Sequence, residues 1–161
     1  MKTRKFMSLI LVFTIVLSSS FVSIGVGIDE VKSSNEVKNV ILLIPDGMSS
    51  DIVTLARWYN GGKKLNLDEL ATGMVRTYSS DAPIADSAPA ATAMATGFKS
   101  HTGFIGVLPD ANTMPGLTTL PEGYERVPVA NVLEAAKLSG RSTGLIATSE
   151  IMHATPASFS A

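Results

Sequence analysis

Three short stretches of this sequence pair oxygen or nitrogen donors with tight backbone turns, a combination suited to chemistry on an anion or a metal ion. In Ile44-Pro45-Asp46-Gly47-Met48, a carboxylate directly follows an apolar run and precedes a glycine. Such a carboxylate can point into a crevice while the chain turns, and it is a hard ligand for a divalent cation. A turn aspartate that caps its own amides would explain the same residues. In Asp86-Ser87-Ala88, a serine stands where an alanine-rich helix is expected to begin. The partial positive charge of a helix amino terminus favours an oxyanion there, whether a serine alkoxide or a bound phosphate. A neutral serine is a poor nucleophile and needs a base or a metal. Plain helix capping by Asp86 or Ser87 is the alternative. In Met152-His153-Ala154-Thr155-Pro156, an imidazole and a hydroxyl two residues apart could face one ion or its bound water. Thr155 equally suits an N-cap ahead of a proline at the first helical position, and His153 a loop histidine with no ligand role.

The elements that must hold these groups follow from hydrophobic period and turn residues. Val37 to Ile44 is a short, branched apolar run and reads as a buried strand of a parallel sheet. Ser49, Ser50 and Asp51 offer caps for a helix in which Ile52, Leu55, Ala56 and Tyr59 recur at helical spacing, and Gly61-Gly62 stops it. Gly73 to Tyr78 is a candidate second strand. Asp86 to Thr96 predicts a helix closed by Gly97, with Pro89 tolerated in its first turn. Phe104 to Gly123 is punctuated by glycine and proline and reads mostly as loop. Val129 to Leu138 predicts a helix ended by Gly140, and Thr143 to Ala147 the next strand. Alternating strands and helices predict an α/β fold with a parallel sheet. Ligands of such sheets bind at the carboxyl ends of the strands, so Asp46, Ser87 and the His153–Thr155 pair are expected to converge on one edge.

Composition narrows the class. The chain has 161 residues, 45% hydrophobic and 17% charged, which is globular rather than disordered. A formal net charge of -1 argues against an electrostatic nucleic-acid binder. There are no cysteines, so disulfides and thiolate metal sites are excluded, and any metal must sit on carboxylates, histidines and hydroxyls. Lys2, Arg4 and Lys5 precede an apolar run from Phe6 to Leu17, followed by small residues. That pattern reads as an export signal over residues 1–27, with a polar lead-in over 28–36, rather than as a retained membrane anchor. No stable membrane span is expected after cleavage, and the mature protein is expected to be extracellular, wall-associated or periplasmic.

From Val37 to the last residue the chain resembles alkaline phosphatases. The resemblance is carried by Asn39-Val40-Ile41-Leu42-Leu43-Ile44-Pro45-Asp46-Gly47-Met48, by Asp86-Ser87-Ala88-Pro89-Ala90-Ala91-Thr92-Ala93-Met94-Ala95-Thr96-Gly97 and by His153-Ala154-Thr155-Pro156, in that order. It implies an alkaline-phosphatase-like α/β fold, with a central, mostly parallel sheet flanked by helices, of which residues 37–161 are the amino-terminal part. It implies hydrolysis of phosphate monoesters through a phosphoserine, served by two zinc ions and a magnesium ion, often in a homodimer. Carried over by motif, Ser87 is the nucleophile, Asp46 bridges a zinc and the magnesium site, and Thr155 is a magnesium ligand. Asp86 supports the phosphate-binding machinery. His153 stands beside the third site where some relatives carry aspartate, and its softer nitrogen would favour cobalt or zinc over magnesium there. His101 reads as a structural or surface residue.

The family pattern asks for more donors than these residues supply. The chain has two histidines, and no arginine follows Arg141 to grip phosphate. The expectation is therefore a piece of a longer enzyme, with no appreciable phosphatase activity by itself. The alternatives are a related phosphodiesterase of the same superfamily and a non-catalytic secreted protein that binds phosphate or metal.

Overall fold

The computed structural model describes residues 37–161; the expected signal and lead-in lie outside the described residues. The chain divides into Met1–Leu42 and Leu43–Ala161. Of the first unit only residues 37–42 are described, and they carry no helix or strand. The second unit holds four α-helices: α1 (Ser50–Tyr59), α2 (Ser87–Thr96), α3 (Val132–Leu138) and α4 (Ala154–Ala157). A 3-10 helix, Asn66–Leu70, lies between α1 and α2. No described helix is long and apolar enough to cross a membrane.

Helix boundaries follow local chemistry. Ser49 precedes α1 in extended conformation. Gly61 and Gly62, both with positive φ, then turn the chain so that the Gly62 amide bonds the Arg57 carbonyl at 2.8 Å. The 3-10 helix has no strong sequence signature. It is held by Asp68, which accepts from the Leu65 amide at 2.9 Å and from Arg57 through Nε at 3.1 Å and Nη2 at 2.5 Å. The Arg57 guanidinium holds the Asp68 carboxyl down at about 2. Helix α2 begins directly after Asp86 and ends at Gly97, whose φ of 81° is a left-handed stop that favours glycine. Helix α3 starts three residues later than its apolar pattern suggests. Asn131 sets the start: its Oδ1 accepts from the Leu133 and Glu134 amides, while the Glu134 carboxylate reaches back to the Asn131 amide at 2.7 Å.

The expected sheet is not formed among the described residues. Residues 37–44, 73–78 and 143–147 carry no strand, and the one bridge recorded is the isolated antiparallel pair Val107–Pro128. Parallel sheets form almost only where helices cover both faces. Here Met74 and Ile146 are 97% and 101% exposed, so these segments keep the composition of buried strands without the partners. The core that does form is small and centred on α2. Its buried members are Ala88, Pro89, Ala91, Thr92 and Ala95, and the helix packs against α4 and α3. The 104–123 segment is irregular, as expected, yet it is fastened at depth. Ser80 lends its carbonyl to the Thr113 and Met114 amides at 2.9 and 3.0 Å, and Leu108 is buried.

The capping box at Asn131 gives a direct test. Asn131→Ala removes the acceptor for two amides and a bond from Nδ2 to the Ala161 carbonyl at 3.1 Å. It is expected to destabilise the fold by about 1 kcal/mol, with Asn131→Asp losing less, in equilibrium urea denaturation.

Candidate active site

Asp46 follows Pro45 in a turn closed by the Met48 amide on the Pro45 carbonyl at 3.1 Å, with Gly47 at φ 72°. The turn presents the carboxylate to the starts of α2 and α4. There the Ser87 hydroxyl donates to Asp46 Oδ1 and Oδ2 at 3.0 and 3.1 Å, and the Thr155 hydroxyl donates to Oδ2 at 2.7 Å. Residues 41 and 109 positions away in sequence thus share one carboxylate. Thr155 lowers the Asp46 pKa most, then Ser87; slight burial opposes them, and the charge of nearby His153 and the Gly47 amide add to the lowering.

The helix starts are arranged to leave these hydroxyls free. Asp86 is the N-cap of α2 but makes no side-chain capping bond. Its Oδ1 faces the Gly103 amide instead, at 3.4 Å. Ser87, the first helical residue, therefore keeps its hydroxyl for Asp46, and the first amides of α2 have no side-chain acceptor from the cap. At α4 the sequence expectation is corrected. The N-cap is His153, in extended conformation and without a side-chain cap bond, while Thr155 lies inside the first turn. Pro156, the buried third helical residue, lacks an amide hydrogen, which leaves the first turn one donor fewer to satisfy. The Thr155 hydroxyl goes to Asp46.

The three groups line a cleft of about 510 Å³, with Met48, Ile84 and Met94 among its apolar walls. Asp86 also lines it; His153 does not. Thr77, from the segment read as a second strand, enters the wall with no motif to announce it. His101 stands apart from the cleft. Its Nε2 lies 3.4 Å from Asp81 Oδ2 and its ring packs on Phe104 at 5.1 Å, which makes it structural, as its isolation in sequence suggests.

With this geometry in view, the comparisons with known proteins decide the family. The sequence model of the alkaline phosphatase family matches residues 37–161. This chain belongs to the alkaline phosphatase family. It is 42% identical over 135 residues to the repressible alkaline phosphatase of Saccharomyces cerevisiae, covering 80% of this chain and 21% of that protein. Alkaline phosphatase 3 of Bacillus subtilis is 37% identical over 172 aligned positions, covering 97% of this chain and 34% of the relative. The solved alkaline phosphatase of the Antarctic bacterium TAB5 superposes with a TM-score of 0.52 at 33% identity, over 67% of this chain and 28% of that one. The fold is thus alkaline-phosphatase-like, and the chain spans between a fifth and about a third of the length of these relatives.

The donor set bears on metal binding. Asp46 Oδ2 and Thr155 Oγ1 are hard oxygens 2.7 Å apart, the ligand type a magnesium-like cation takes. Among the described residues, no three or more His, Asp or Glu side chains gather as a metal site would require. These residues thus fit one corner of a metal centre, with further ligands needed to close it.

Asp46 offers a measurable signature. In metal-free protein its carboxyl is expected to titrate below the ordinary 3.8, and Thr155→Val to raise it more than Ser87→Ala. Because the folded pKa is depressed, the stability this carboxylate contributes is present above the unfolded value. It is lost as pH falls through the lower folded value. Site-resolved carboxyl NMR titration checks both the order and the direction.

Proposed function

We propose that this chain forms the nucleophile-bearing part of an exported phosphate-monoester hydrolase in which Ser87 Oγ takes up the phosphoryl group. The observation that carries the reading is the shared carboxylate: Ser87 and Thr155 hydroxyls both on Asp46, in the lining of a cleft and at a helix start. Family membership supports the reaction class. Residues 1–27 would direct export and be removed, placing the reaction outside the cytoplasm.

In this reading Asp46 orients the Ser87 hydroxyl, leaving a lone pair of Oγ directed at the phosphorus of a monoester in the cleft. The unpartnered amides at the start of α2 and the positive end of its dipole receive the phosphoryl oxygens. Attack by Ser87 Oγ forms the phosphoserine as the ester P–O bond breaks, and the leaving oxygen departs as the alcohol with the proton that the Ser87 hydroxyl gives up. Water then cleaves the phosphoserine, releasing inorganic phosphate and restoring Ser87. Asp46 and Thr155 would hold magnesium and Asp46 a neighbouring zinc, with His153 close to the magnesium position and a second zinc held elsewhere. When bound, these cations neutralise phosphoryl charge and lower the pKa of a coordinated hydroxyl. Asp86, through its bond to Gly103, would steady the turn from which Ser87 projects. Residues 37–44, 73–78 and 143–147 would join a mostly parallel sheet whose other strands correspond to parts of the relatives that this chain does not match.

In the native exported protein, Ser87→Ala is expected to reduce turnover of an aryl phosphate by roughly a thousandfold or more. Brief reaction with radiolabelled monoester, quenched in acid, should place the label on the Ser87 peptide. A Ser87→Ala variant that keeps a tenth of native turnover would remove Ser87 from the role. Turnover confined to diesters would favour the phosphodiesterase alternative, and reversible phosphate binding without label the non-catalytic one.

His153→Asp is expected to shift third-site preference from cobalt or zinc toward magnesium, read by metal-replacement titration. An unchanged order of preference would place His153 outside the metal site.

A further inference from the structure

We infer that Thr92 and Ser158 are positioning residues for the Asp46–Ser87–Thr155 site, their buried hydroxyls fixing the helix that carries Ser87 against the helix that carries Thr155. The inference rests on Ser87 as the phosphoryl acceptor for its catalytic consequence, although the structural link stands by itself.

Helix α2 has two distinct faces. Ser87, Ala90 and Met94 line the cleft, at helical spacing. Ala88, Thr92 and Ala95 recur at the same spacing and are 3%, 0% and 0% exposed. Threonine is an unfavourable choice on that inner face. It has lower helix propensity than alanine, and burying a hydroxyl costs free energy unless it is hydrogen-bonded. Thr92 meets that requirement through contacts outside its own helix. Its Oγ1 accepts from the Gly106 amide at 3.1 Å and lies 3.3 Å from Ser158 Oγ, with the Phe104 carbonyl at 3.4 Å. Ser158 is also fully buried, and its hydroxyl reaches the Ala154 carbonyl at 2.8 Å and the Ala88 carbonyl at 3.5 Å.

Each hydroxyl has one proton to donate. The Gly106 amide donates to Thr92, the Thr92 proton is shared between the Ser158 hydroxyl and the Phe104 carbonyl, and Ser158 donates to the Ala154 carbonyl. That carbonyl belongs to the peptide bond whose nitrogen is that of Thr155. The chain of bonds therefore ends one peptide unit from the hydroxyl that meets Asp46 at 2.7 Å. It passes through Thr92, on the helix whose first residue is Ser87. The other buried side chains of α2 and α4 are alanine and proline, which permit close approach but do not select one register. Directional bonds in a low-dielectric interior do select it. A slip of about 1 Å between the two helices would part Thr155 or Ser87 from the shared carboxylate, an error that costs about a hundredfold in well-aligned reactions.

The test uses the native full-length protein. Thr92→Val keeps the shape and removes the hydroxyl; it is expected to lower kcat about tenfold or more with KM little changed. Thr92→Ser restores the hydroxyl and should recover kcat to within about twofold. Ser100→Ala is the control for general destabilisation: Ser100 is buried and bonds the Val107 carbonyl at 2.7 Å, outside this network. It should lower the thermal midpoint and leave kcat intact. An activity-independent readout is the coupling between Thr155→Val and Ser158→Ala, whose losses in thermal midpoint should be clearly less than additive. Additive losses, or a Thr92→Val kcat no lower than that of Ser100→Ala, would overturn the inference. A native protein without monoester turnover would instead defeat the phosphatase reading, and the coupling experiment would still decide the link between the helices.

Discussion

The Asp46 carboxylate, accepting two hydroxyls at once, is the constraint on which the site depends. An ionised carboxylate only accepts hydrogen bonds, so it can gather donors from segments that share nothing else. Here those donors come from residues 41 and 109 positions away. Satisfying it requires the start of α2, the start of α4 and the turn at Gly47 to meet at one point. The same requirement accounts for two irregular helix starts. Neither Asp86 nor His153 makes a side-chain capping bond, which leaves the next polar groups, Ser87 and Thr155, free to face the carboxylate.

Behind that point the packing is done by small side chains. Alanine, serine, threonine and proline make up most of the buried set around α2, and large apolar residues contribute little beyond Leu108 and Phe159. Small residues bring the backbones of α2 and α4 close enough for side-chain hydroxyls to bridge them, as Thr92 and Ser158 do. Shape alone holds such an interface loosely, so polar contacts carry more of its specificity than in a leucine-rich core.

The large apolar residues are elsewhere and mostly exposed. Val40, Ile41, Met74, Val75 and Ile146 all lie in segments whose composition reads as strand. Their exposure and the missing ladder are one fact: a parallel sheet buries each strand between neighbours and beneath helices, and this chain covers only part of the length of its relatives. The helical part of the fold depends on local bonds and short-range packing and is formed. The sheet depends on long-range partners and is not formed among the described residues.

Local sequence was sufficient for α1 and α2 and, with the family resemblance, for naming the candidate site residues. Alanine content, Gly97 and Pro89 marked α2 almost to the residue, and donor types and turn contexts, which are local properties, made Asp46, Ser87 and Thr155 candidates to which the family resemblance assigned roles. It was insufficient where the outcome turns on which atoms compete for a donor. Thr155 before Pro156 has the pattern of an N-cap, yet its hydroxyl goes to Asp46 and the cap position passes to His153. Asn131 displaced the start of α3 because its capping box outweighs the apolar period upstream. The sequence by itself determined the chemistry available: an acceptor-only carboxylate, two hydroxyls, and no thiol. Only the tertiary structure decided that these groups share one carboxylate and that a buried threonine–serine pair joins the helices presenting them. A hydrogen bond between distant residues depends on distances of about 3 Å that no local pattern encodes.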